Sequence, residues 1–379
     1  MILEGSNKVL SKVLISGGGR CNVTNAIFKP IELAQYYPRG GDFLLEPFGL
    51  FSSNHTQQWF EGRGIDLKTE ADGRVFPITD RSETIANVLT GVAADLNITT
   101  ELSCRASSFE QTDNGGWMVE TNQGSIQTDV LILTPGGSPQ LWKALEKIGI
   151  EVVQPVPSLF TFHVEHPLLI DLPGISFGNV GIKIAKSEFK SEGPLLITHQ
   201  GLSGPAVLKL SAWAAFHLAE VQYTFMIDLN WLGKTTEKEL KAALNVYRDE
   251  YPKSYVRSKP ILGLPKRFWV RLCELSGITE HRNWAETGKK QTAVLIGLLL
   301  KSKLEVTGKS TNKDEFVTAG GVDLKQMDPK TFRCTTHQNL YMAGEVLNID
   351  ALTGGFNFQA AWTAGWMVGN YVTHGASSL

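Results

Sequence analysis

The sequence predicts an α/β fold in which a nucleotide-binding type of domain is interrupted by a strand-rich and a helical insertion. Three observations carry this reading. Segment character runs in the order α/β, β, helical, short β, α/β along the 379 residues. Glycines flanked by polar residues concentrate toward both ends, in 16–25 and 343–359. The run Val130-Leu131-Ile132-Leu133 is apolar throughout, which suits a strand covered on both faces.

Taken in order, Ile2-Leu3-Glu4 reads as the end of a buried strand, followed by the turn Gly5-Ser6-Asn7. Val13-Leu14-Ile15 then leads into Ser16-Gly17-Gly18-Gly19. A helix is expected over 82–95, with Asp80 as cap and Glu83 reaching back. Strands are expected at about 98–104, 116–121 and 125–134, with Asn114-Gly115-Gly116 and Asn122-Gln123-Gly124 as turns. Pro155-Val156-Pro157 marks a change of character. Strand-like stretches follow at 160–164, 180–185, 195–199 and 221–229, with one short helix from Pro205. Thr236 and Glu239 form a capping box before Leu240, Ala243, Leu244 and Tyr247 at helical spacing. Helices at 265–276 and 284–300 complete a helical unit, and Lys303 to Thr307 returns to strand. The domains expected are 1–152 with 318–379, an inserted barrel-like domain at 153–232 plus 301–317, and a helical domain at 233–300.

Composition excludes several classes. Thirty-six Lys and Arg against 38 Asp and Glu leave −2, which argues against a dedicated nucleic-acid binder. No apolar run approaches the ~20 residues of a membrane span. The four cysteines lie far apart and form no CxxC pair, so a reducing, cytoplasmic setting is expected, with an organelle left open. His163 and His166 have no Cys or carboxylate cluster beside them, and no metal is expected there. Glycine, at 37 of 379, exceeds the usual share of about 7%.

The glycine clusters point to a bound anion or flat ligand. Backbone without Cβ lets N–H groups converge on an anion. Arg20 adds a fork suited to phosphate, or alternatively a surface ion pair. Gly344-Glu345 places a carboxylate at a strand end, and Gly354-Gly355 opens an apolar helix whose N-terminus favours negative charge. Gly136-Gly137 repeats this logic after the apolar strand. No G-x-G-x-x-G follows an apolar strand anywhere in the sequence.

Ile15-Ser-Gly-Gly-Gly-Arg-Cys-Asn-Val-Thr-Asn25, Thr198-His-Gln-Gly-Leu-Ser-Gly-Pro205, Thr318-Ala-Gly-Gly-Val322 and Met342-Ala-Gly-Glu-Val-Leu-Asn-Ile-Asp350 with Thr353-Gly-Gly-Phe-Asn-Phe-Gln359 resemble the YhiN/BaiN-like flavoproteins. The resemblance spans nearly the whole chain. It implies an FAD/NAD(P)-binding Rossmann-like fold of the two-dinucleotide-binding type, with FAD held by a domain split across both ends. By the same resemblance, Glu4 holds the adenosine ribose and Ala106 meets adenine. Lys12, Ser16, Gly17, Gly18, Gly19, Arg20, Cys21 and Asn22 line pyrophosphate and flavin. Thr134, Gly136 and Gly137 form the family's A-T-G-G turn. Gly344 and Glu345 contact the ribityl and pyrophosphate, and Gly354, Gly355 and Asn357 lie at the flavin pyrimidine edge.

Departures from the family pattern are also legible. Its opening strand, G-x-G-x-x-G and helix, about thirty residues, would precede Ile2. Their absence is read as a truncated start or a lost cofactor site, with poor stability expected. Pro135 replaces a threonine, the stretch after that turn is shortened, and Asn348 stands where aspartate is common.

His199 is the candidate catalytic proton donor or substrate contact. Cys21, without a CxxC partner, is expected to pack rather than do redox chemistry. The function implied is an FAD-dependent oxidoreductase passing a hydride between NAD(P)H, flavin and a small organic substrate, with enone-type reduction as the reaction class. The alternatives are a flavin oxidase of a small amine or aminoketone, and a truncated, cofactor-free interaction or tRNA-associated module. Neither a nucleic-acid nor a membrane partner is expected, and the oligomeric state is left open.

Overall fold

The computed structural model describes residues 1–310 and 317–374. Residues 311–316 and 375–379, which the expected domains include, lie outside the described residues. The chain forms two compact units, Met1–Pro157 with Val317–Leu379, and Ser158–Phe316.

The first unit is a mixed α/β body built from small sheets of two or three strands and the helices packed on them. Ile2–Leu3 pairs in parallel with Thr100–Glu101, and Leu131–Leu133 pairs in parallel with Leu340–Met342. Ala106–Gln111, Trp117–Thr121 and Gly124–Thr128 form an antiparallel meander. The strand expected at 98–104 is only Thr100–Glu101, and the strand starting at Ala106 is additional to those expected. Leu131–Leu133 is also not covered on both faces: Leu133 is buried, but Ile132 is 45% exposed. Apolar composition alone cannot distinguish these cases, because covering depends on what packs outside the strand.

After the antiparallel pair Leu67–Thr69 and Arg74–Pro77, a helix runs Ser82–Asp95, and Arg81, not Asp80, stands at its cap position. Asp80 has a left-handed backbone (φ 52) and spends its carboxylate on Lys68 and Arg20. Charge competition therefore displaces the expected cap. The last helix runs Phe356–His374, directly after the Gly354-Gly355 pair. Phe356, Ala360, Ala364, Met367 and Val368 enter one core with Leu133, Trp142 and Leu340–Met342. Each large side chain buried in this way contributes about 1.5–3 kcal/mol of transfer free energy.

The second unit contains a seven-stranded antiparallel sheet. Its two edge strands, Ser302–Val306 and Gly308–Ser310, are consecutive in the chain. Phe225 pairs with Val306, while His163 pairs with Gly308, so the sheet curls until its edges meet across Thr307. Helix Pro205–Trp213 closes on it through buried Ala206, Val207 and Leu210. The helical part comprises Glu237–Glu250, Lys266–Leu275 and Lys289–Leu300. The capping box of the first is present in full: Thr236 Oγ1 accepts from Glu239 N at 3.3 Å, and Thr236 N donates to Glu239 Oε2 at 2.7 Å. Among the described residues no helix is long and apolar enough to cross a membrane.

Candidate functional site

The two glycine loops at opposite ends of the sequence meet in the first unit. Helix geometry from Ser11 breaks at Ser16 (ψ 151), and Gly17, Gly18 and Gly19 all take left-handed φ values of 56, 67 and 83. Three consecutive left-handed residues are open to glycine at little cost and to other residues only with strain. A Cβ on Gly17 would meet Asn22 N at 2.9 Å, whereas Gly18 and Gly19 face open space. The result is a bare backbone shelf. Behind it Ser16 O accepts from Cys21 N at 3.0 Å, closing the loop.

Arg20 leaves the shelf rather than lining it. Its Nη1 reaches Glu70 at 2.7 Å and Asp80 at 3.4 Å, and its guanidinium lies 4.0 Å from the Phe76 ring centroid. The surface ion pair that the sequence offers this arginine is therefore formed. Cys21 is fully buried, and burial pushes its thiol up to about 11, partly offset by a hydrogen bond from Ser16. It is a protonated packing residue at neutral pH.

Asn22, Thr24 and Asn25 fasten the shelf to the last loop. With its amide oriented to satisfy its neighbours, Asn22 donates to Val75 O and Thr24 O and accepts from Gly355 N at 2.9 Å. Asn25 Nδ2 donates to Gly354 O at 3.1 Å. Gly355 (φ 88) sits so close that a Cβ would lie 2.5 Å from Thr24 O. Asn357 turns back on its own loop, accepting from Ala351 N at 3.0 Å and donating to Ala351 O at 3.2 Å. The first helical bond runs from Gln359 N to Gly355 O at 3.0 Å, so the N–H groups of Phe356, Asn357 and Phe358 have no carbonyl one turn earlier within the helix.

A second cluster joins Gly136, Gly137, Gly344 and Glu345. Glu345 Oε1 accepts from Thr318 N at 3.0 Å, and a Cβ on Gly137 would meet Thr318 Oγ1 at 3.1 Å. Gly136 lies opposite Glu345 Oε2, 3.7 Å from its Cβ position, and Thr134 is exposed beside it. Asn348 Oδ1 accepts from Gly320 N at 3.1 Å, so its amide serves the strand Val317–Val322.

The third group holds Glu4 and Ala106. Cys104 N donates to Glu4 O at 3.0 Å, and Glu4 Oε1 accepts from Ser6 N at 2.8 Å. Ala106 opens the adjoining strand opposite Thr121. Lys12 is exposed on the first helix. His199 belongs to the second unit, where it is exposed in the two-residue turn between Lys190–Thr198 and Gly201–Ser203.

Sequence reading misses a buried polar knot beneath the loops. Gln359, with no exposed surface, accepts from Thr24 Oγ1 at 2.6 Å and Thr56 Oγ1 at 2.9 Å and donates to Thr363 Oγ1 at 3.1 Å. Asp350, also fully buried, pairs with Arg39. The available signal is a lone Gln at the head of an apolar helix and an Asp in an apolar loop.

The model of the HI0933-like protein Rossmann domain matches residues 1–371. The chain is 27% identical over 377 residues to the ribosomal RNA dihydrouridine synthase of Escherichia coli, covering 97% of this chain and 90% of that protein. It is 23% identical over 380 residues to the 3-dehydro-bile acid delta(4,6)-reductase of Clostridium scindens, covering 97% of this chain and 91% of the other.

Proposed function

The chain belongs to the HI0933-like Rossmann-domain family, whose members are FAD-dependent oxidoreductases, and from that premise we propose that it saturates a carbon–carbon double bond conjugated to a carbonyl, with NAD(P)H as electron donor. The names of both relatives describe this chemistry: uracil and a 3-keto-4,6-diene each carry an alkene conjugated to C=O. The acceptor class is therefore an enone, small organic or nucleobase.

The residues present fit FAD. The shelf at Gly18 and Gly19 is a space that a Cβ would begin to fill, and the Gly354-Gly355 helix start is held against it. That junction of two glycine loops is the observation that carries the reading. Lys12 and Ser16 to Asn22 would take the pyrophosphate and flavin side, with Arg20 contributing backbone only. Glu4 and Ala106 would take the adenosine, Gly344 and Glu345 the ribityl chain. Thr134, Gly136 and Gly137 would back it, and Gly354, Gly355 and Asn357 would border the pyrimidine edge. Bound FAD supplies the hydride transfer itself.

The chain's own part is positioning and electrostatics. Outward N–H groups at the start of Phe356–His374 favour negative charge facing them. Asn22 and Asn25 keep that helix end in register with the shelf. Reduction of an enone adds a hydride at the β carbon and a proton at the α carbon. His199 is the proposed donor of that proton through an imidazole N–H.

The test is anaerobic spectrophotometry of the FAD-supplemented chain. NADPH should bleach the flavin absorbance, and a cyclic enone or uridine should restore it while gaining two hydrogens. Failure of NADPH to bleach the flavin contradicts the proposed donor. Recovery with oxygen alone favours the oxidase alternative.

A further inference from the structure

We propose that the 253–290 stretch of the second unit is a binding surface for single-stranded nucleic acid. The whole-chain charge of −2 hides a strong segregation. This stretch holds nine Lys and Arg against three Glu, a net of 9 − 3 = +6, so the remainder carries −2 − 6 = −8. A local excess of this size matters more to a polyanion than the global balance, because screening confines each charge to about 10 Å.

The acidic residues within it are largely spent. Glu274 lies within 3.5 Å of both Arg257 and Arg271, and Glu286 lies 4.0 Å from Arg282. By contrast Lys253, Lys259, Lys266, Lys289 and Lys290 are exposed, and among the described residues none of the five is in an ion pair. Asp249 and Glu250 border the stretch on the preceding helix, and Glu280 lies within it.

Aromatic faces stand among these lysines. Tyr255 is 50% exposed and Tyr251, at the border of the stretch, 41% exposed. The His281 ring lies 5.5 Å from Tyr255, whose backbone bridges to Asn283. Lys259 Nζ lies 5.4 Å from the Tyr251 ring centroid. Exposed rings beside unpaired cations match what single strands offer, namely phosphates and unstacked bases. An acidic membrane surface fits less well. It would need an amphipathic helix with a free apolar face, and that face of Lys266–Leu275 is buried through Phe268, Trp269 and Leu272. The inference goes beyond the reaction proposed above and is read without flavin or turnover.

The experiment measures fluorescence anisotropy of the full chain with a labelled single-stranded RNA oligonucleotide across a salt series. A DNA oligonucleotide of the same sequence and phosphatidylserine vesicles serve as further arms. Lys253→Glu with Lys259→Glu should weaken binding at least tenfold. That pair should also flatten the log–log salt slope by about 1.4, or ~0.7 for each phosphate that is no longer neutralised. Tyr251→Ala with Tyr255→Ala should weaken binding while leaving the slope unchanged. The charge-matched control Lys183→Glu with Lys190→Glu, exposed in the same unit, should bind as wild type. Tighter RNA than DNA binding identifies RNA as the source, and equal binding keeps the surface general to single strands. The proposal is overturned if wild type binds neither oligonucleotide at low salt, if the control loses as much as the lysine pair, or if vesicles bind and oligonucleotides do not.

Discussion

Gly355 is the residue on which the two glycine loops depend most. Its φ of 88 and the 2.5 Å approach to Thr24 O leave no space for a methyl group. Gly355→Ala should lower stability by roughly 1–3 kcal/mol in denaturant unfolding and weaken FAD binding. Cys21 gives a pH-dependent prediction. Its folded pKa, raised by burial from 9.0 to about 11, means the folded chain keeps a proton that the unfolded chain releases. Stability from this group is intact below pH 9 and is lost as pH rises through about 11. The loss is of the order of 2–3 kcal/mol. Cys21→Ala should therefore show a shallower decline than wild type across that window, read as urea midpoints. Equal slopes would remove the buried thiol as the cause. At this scale the glycines of the site are legible as residue types, but Arg20 is not. Its partners Glu70 and Asp80 are fifty and sixty residues away, and only folding reveals which of two acceptable roles a guanidinium takes.

Among the elements, the final helix does most to define the site. Gln359 ties its first turn to the strand Thr24–Asn25 and to the helix Ser53–Glu61 through the hydroxyls of Thr24 and Thr56. Gln359→Leu removes the acceptor for two buried hydroxyls and should cost about 2–4 kcal/mol. Gln359→Glu, which keeps an acceptor, should recover part of that loss, and equal loss in both variants would mean that packing alone is at stake. The capping box at Thr236 is legible because it is purely local, and it forms as expected. The cap at Asp80 fails because its carboxylate finds stronger partners in Lys68 and Arg20. The region from residue 30 to 61 carries no clear signal in the sequence. Its helices are only 5, 10 and 9 residues long, too short for a clear 3.6-residue period. They are held by tertiary packing such as Tyr36 stacking on Phe356 at 4.3 Å.

For the whole molecule, the nested order of segments is visible in composition because each insertion has its own pattern, alternating strands or helical spacing. The boundaries proposed for a barrel-like and a helical domain within the second unit rest on that pattern and on the curled seven-stranded sheet. What composition conceals is charge distribution, since a global −2 masks a net +6 in the stretch 253–290. The cradle proposed for FAD joins sequence positions more than three hundred residues apart. It is tested most directly by titrating the purified chain with FAD and following flavin absorbance and stoichiometry. The expected result is one FAD per chain for wild type, with markedly weaker binding by folded Gly355→Ala. A chain that stays folded and colourless at saturating FAD, or a Gly355→Ala variant that binds as tightly as wild type, would contradict the account.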